Sequence, residues 1–141
     1  MGIKTKVTLI TIFFAVPAFF LGEIIWPPAP EFPKPNHFEL SFFLILSILE
    51  AVAFGLGYSL IFLGLPLLKK RSGYTTLTKL AYFSVVWYLI NWWPHDNMHA
   101  HNGLNPQGLL IIEYLFHSTL IIAGAILALY FYKVVLKGKF K

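Results

Sequence analysis

The chain has no cysteine, which removes disulfides, iron–sulfur clusters and thiolate metal sites. It is also poor in charge. Asp, Glu, Lys and Arg make up 12% of its 141 residues, about half of what a soluble domain of this size carries. The net charge of +5 is segregated by topology and not gathered into a nucleic-acid patch. The HExxH pattern of zinc proteases and the GxSxG elbow of serine hydrolases are both missing. Five histidines are also too few for the membrane di-iron desaturases and hydroxylases, which resemble one another in carrying about eight.

What fills the chain instead is apolar: 57% of residues are hydrophobic and 18% aromatic. Four windows are long enough to cross a hydrocarbon core of about 30 Å, near residues 7–25, 40–68, 75–93 and 107–136. Spanning segments must satisfy their own backbone groups, so runs of this length predict helices and not a barrel. The expected fold is an all-α integral membrane protein, a four-transmembrane-helix bundle forming one domain over residues 1–141. A basic start and small residues near Ala15 and Ala18 give the first run some likeness to a cleaved signal. Its apolar character continues to Ile25, however, and the span is expected to be retained.

The connections differ in kind. Residues 26–39 (WPPAPEFPKPNHFE) contain five prolines and predict a stiff, extended crossing. KKRSG at 69–73 predicts a tight basic turn. Asn105-Pro106 predicts a helix start, with Asn105 as cap and Pro106 at the first helical position. Ten of the eleven basic residues flank the first span, the 69–73 turn and the end of the last span; Lys34 is the exception. By the positive-inside rule both termini are then cytoplasmic, in an inner-membrane protein, and the 92–106 loop faces outside. Trp26, Trp92 and Trp93 are expected in the aromatic belt at that outer surface.

That loop carries WWPHDNMHAHNG, with His95, His99 and His101 inside seven positions beside Asp96 and Met98. If the third helix continues past Pro94, His95 and His99 share a face at i,i+4. Imidazole and carboxylate suit zinc, copper, iron or nickel without any thiolate. As a plain turn, the same residues need only cap a helix and form the Asn102-Gly103 reversal.

Ionisable groups inside spans cost roughly 2.5–3.5 kcal/mol each on insertion scales, so each calls for a partner or a function. Helical rise places Glu50 about 15 Å below the outer end of the second span. Glu113 and His117 fall about 8 and 14 Å below the outer end of the fourth. Glu23 sits near an interface, where its carboxylate reaches the surface. With Asn91, these residues outline a polar funnel under the histidine loop. Glu113 and His117 are i,i+4 neighbours. Small-residue stripes (Ser47, Ala53, Gly57 and Gly64; Gly124 and Ala128) are expected to pack the helices closely and bring Glu50 towards Glu113 and His117.

The expected metal-ligand pool is therefore His95, Asp96, His99, His101, Glu113 and His117, with Glu50 and Asn91 as buried polar partners. With Met98 the sole nearby sulfur, zinc or Cu(II) is favoured over Cu(I). The copper membrane monooxygenases carry an Asp-His-His set similar in type to Asp96, His99 and His117, though the spacing differs. A haem between His95 and His117 is disfavoured, because the two differ in expected depth by about a dozen Å. The functional expectation is a transition-metal site at the outer membrane boundary, within a membrane oxidoreductase or as a metal-receiving site. The alternatives are a non-catalytic subunit of a larger membrane complex, with the bilayer and other subunits or copies as partners, and a small proton-coupled transporter.

Overall fold

A computed structural model describes residues 1–31, 34–69 and 75–140. Among them the chain is all-helical, without a strand. Helix α1 runs Ile3–Ile25 and passes through Pro17 without a break. Helix α2 runs His37–Gly64, ends in a π-helical turn at Leu60–Gly64, and continues as Leu65–Lys69. Helix α3 is Thr76–Asn102, and α4 is Pro106–Leu136 with π-turns at Glu113–His117 and Phe131–Leu136. Three of these, α1, α2 and α4, are long and apolar enough to cross a membrane. The basic turn expected at 69–73 lies, from Lys70 on, outside the described residues.

The helix starts follow from local chemistry. Asn36 caps α2 by accepting from the backbone N–H groups of Phe38 and Glu39, and Glu39 returns a bond to the Asn36 N–H. This reciprocal box leaves residues 34–36 outside the helix, in keeping with the extended crossing expected there. Thr75 caps α3 and Asn105 caps α4, the latter with Pro106 in the first turn as its spacing predicts. The π-turn of α2 precedes Pro66, which has no N–H to donate. At the start of that turn the Leu60 carbonyl accepts from the Tyr82 hydroxyl of α3.

Glycines set the distances between helices. A Cβ at Gly55 would run into the Thr11 carbonyl and come within 3.1 Å of the Ala15 nitrogen of α1. One at Gly57 would meet the Ile90 backbone nitrogen of α3 at 3.2 Å. Two positions apart on α2, these glycines let both neighbours approach to backbone contact. A core of Ala15, Ala18, Ala51 and Trp93 closes the middle, with Phe19, Trp26 and Phe54 against it. Trp93 is thus a core residue, correcting its placement in a lipid-facing belt: Phe54 and Trp26 cover its ring at 4.7 and 5.2 Å. Gly124 of α4 lies against the Tyr88 hydroxyl, whereas Ala128, expected on the same packed stripe, is exposed.

The largest departure from expectation is at the histidine cluster. Residues 92–102 are not a loop; α3 runs through Pro94 to Asn102 and ends at Gly103, whose φ of 51° is left-handed. Proline removes one N–H and presses on the carbonyl one turn earlier, which argues for a stop at Trp93. Side chains bond to backbone carbonyls along the continued helix. Asn97 Nδ2 donates to the Trp93 carbonyl at 2.7 Å and Asn102 Nδ2 to that of Met98 at 2.9 Å. The segment after Trp26 lies along this last stretch: the Ala29 N–H donates to the Ala100 carbonyl, and His101 Nδ1 to that of Pro27.

Candidate metal centre

Extending α3 beyond Pro94 changes the site. His95, Asp96 and His99 now stand on a rigid helix beside α4, with the turn at 103–105 above them. Both helices descend from that turn, so His95 and His117 lie at one level. The expected depth difference of a dozen Å is therefore wrong. Their Nε2 atoms are 2.9 Å apart. A haem iron needs about 4 Å between two axial nitrogens at ordinary metal–nitrogen lengths, so the histidines are too close for haem where distance was the expected obstacle.

Each of the two rings is held from behind by a carboxylate. His95 Nδ1 lies 2.6 Å from Asp96 Oδ1, and His117 Nδ1 lies 2.9 Å from Glu113 Oε2. A carboxylate only accepts, so both Nδ1 atoms carry a proton. The two Nε2 atoms, 2.9 Å apart, are placed to share one cation, a proton or a metal ion. The His99 ring completes the group, 4.6 Å from the His95 ring and 5.6 Å from that of His117. One nitrogen from each of the three histidines lies within 4.8 Å of the other two. A tetrahedral ion with bonds of about 2.0–2.1 Å sets its nitrogens roughly 3.3 Å apart, a closer spacing than the 4.8 Å within which these three lie. Burial, with the His95 and His117 rings beside it, holds the His99 imidazole below the ordinary histidine range, against the opposing pull of Asp96 and Glu113. The neutral imidazole so favoured is the form that binds metal.

The π-turn at Glu113–His117 belongs to this geometry. There the Ser118 N–H reaches back to the Glu113 carbonyl, five residues away. Carbonyls left over by the wider turn accept from hydroxyls: Ser118 donates to Tyr114, and Thr119 to Leu115 and Phe116 at 2.7 and 3.0 Å. Thr119 also accepts from Trp87 Nε1, and the Tyr88 hydroxyl donates to the Leu120 carbonyl, which ties α3 to α4 just below the histidines. Nothing in the apolar pattern signals a π-turn. The Ser118-Thr119 pair after His117 is the one trace of it in the sequence.

The rest of the expected pool divides. Asp96 and Glu113 sit behind the imidazoles and not among their free nitrogens. His101 is turned away to the Pro27 carbonyl. Glu50, 8% exposed on α2, has Asp96 as its neighbouring charged group. Asn91, 3% exposed, lies one turn below His95, and its amide nitrogen has no partner among the described residues. Trp92 is the addition that sequence reading missed: its Nε1 donates to Asp96 Oδ2 at 2.9 Å, an i,i+4 contact visible only once the helix is known to continue.

No protein family, curated protein or solved structure matches the chain. The chemistry of the site therefore rests on its own residues.

Proposed function

We propose that this protein is a membrane-spanning metal-binding protein that holds one divalent transition metal ion through His95, His99 and His117. The observation that carries this reading is the pair of Nε2 atoms 2.9 Å apart, each ring backed through Nδ1 by a carboxylate. Carboxylate–histidine–metal pairs of this kind fix the tautomer, aim the ligand nitrogen and raise its basicity. A purely structural Glu–His contact accounts for one carboxylate and one ring. It does not account for a third imidazole, His99, brought within 4.8 Å of the other two.

An all-imidazole donor set favours zinc or Cu(II). The ion sits beneath the turn between α3 and α4. We place this end of the bundle outside the cytoplasm, with α3 as a fourth span up to Trp93, because the basic residues gather at the other end. The site then lies at the outer boundary of the bilayer. The test is metal analysis of the detergent-purified chain. The expected result is one equivalent of zinc or copper, falling to background in His117→Ala and His99→Ala. A metal content unchanged by both substitutions rules the reading out.

A second reading, as a subunit of a larger membrane assembly, is favoured by the outer face of α4. This helix packs mainly on α3 and keeps the Glu113 side chain 61% exposed within an apolar stretch. An ionised side chain on a lipid-facing surface is costly, and a neighbouring subunit or second copy would cover it.

A further inference from the structure

Resting on the metal-binding reading above, we propose that the ion held by His95, His99 and His117 keeps one coordination position open to a small exogenous anion. The centre then binds a ligand and is not a closed structural site. Closed sites use four protein ligands, whereas sites that work on a ligand use three and leave the fourth position to water or an incoming group.

The neighbouring donors are occupied elsewhere. Asp96 has one oxygen on His95 Nδ1 and the other on Trp92 Nε1. Glu113 is on His117 Nδ1. In both cases the carboxylate is behind the imidazole, on the opposite edge from Nε2. Glu50 neighbours Asp96, His101 is directed at the Pro27 carbonyl, and Glu31 at the Leu104 N–H. Among the described residues, the group with metal-ligand spacing consists of the three histidines alone. All three are partly exposed, the His95 and His117 side chains by 21% and 35%, so a small molecule reaches them.

Charge selects the class of ligand. Three neutral imidazoles leave the ion with its full double charge, and the nearest carboxylates are each an imidazole ring away. An anion of the size of hydroxide or azide, bound directly, offsets that charge where protein oxygens do not.

The test is cobalt(II) titration of the full chain in detergent at neutral pH, followed by sodium azide. We expect one cobalt per chain, then a shift of its visible bands and a new near-ultraviolet azide-to-cobalt absorption, both saturating at one azide per cobalt. His101→Ala and Met98→Leu should give the same cobalt spectrum as the unchanged chain. A stoichiometric cobalt spectrum indifferent to azide overturns the open position and leaves metal binding standing. So does a spectrum altered by either substitution, since it reveals a fourth protein ligand. If no cobalt binds, both readings fall.

Discussion

At the scale of single residues, the site is decided by which nitrogen of each histidine is free. Asp96 and Glu113 settle this for His95 and His117 by holding Nδ1. Partners of this kind are worth 10–100-fold in metal affinity. Asp96→Asn and Glu113→Gln are therefore each expected to weaken binding by about that factor without abolishing it, whereas His117→Ala abolishes it. Competition titration against a chelator of known affinity measures the difference. A second consequence concerns pH. Protons and metal compete for the same lone pairs, so the ion is held where the imidazoles are neutral and lost as pH falls. His99, beyond the apolar part of α3, is held below the ordinary histidine value of about 6.5 by burial and its two histidine neighbours. It stays neutral further into acid than a free imidazole does, so His99 does not limit retention until the pH has dropped below that ordinary range. Titration of the His99 imidazole in the metal-free chain, followed by NMR, checks this; a midpoint at or above 6.5 would contradict it.

At the scale of elements, the apolar runs showed where three of the helices lie, and Asn105-Pro106 marked the start of α4. The end of α3 was not legible. Pro94 is a local signal for a stop, and what outweighs it is tertiary and side-chain chemistry: Asn97 and Asn102 bonded back to carbonyls, and the 27–29 segment laid along the last turns. For the same reason the i,i+4 relation of His95 and His99 was readable only as a condition. The π-turn at Glu113–His117 was hidden because its pattern of apolar residues is that of any helix. Close packing around α2 was visible in part: the expected stripe held Gly57 but not Gly55, which meets the α1 backbone. Gly55 tests it. A side chain there meets α1 backbone, which cannot give way as a flexible side chain does. Gly55→Leu is expected to cost at least the 1–3 kcal/mol typical of an overpacked core and to lower the thermal midpoint in detergent. At Gly2, where a Cβ meets nothing, the same substitution leaves the midpoint unchanged.

At the scale of the whole molecule, the path of α3 fixes the topology. Three helices satisfy length and hydropathy for crossing; α3 does not, and its last third holds Asp96, two asparagines and three histidines. Yet the chain needs a return between α2 and α4. If α3 did not span, α2 and α4 would begin on opposite faces, and the histidine site between α3 and α4 would be pulled apart. Packing argues for the span: α3 lies between α2 and α4, with its Ala81, Ser84, Val86 and Asn91 buried. The absence of cysteine gives a clean test, because single cysteines report on a silent background. Leu104→Cys, at the exposed turn above the histidines, is expected to react in intact cells with a membrane-impermeant thiol reagent. Lys4→Cys and Gly138→Cys, at the two ends, should react only after the membrane is opened. Labelling of Leu104→Cys and Gly138→Cys from the same side would remove α4 as a span, and with it the placement of the metal centre at the outer boundary. Protection of Leu104→Cys with labelling of Lys4→Cys and Gly138→Cys in intact cells would instead invert the orientation of the bundle and leave the triad itself unaffected.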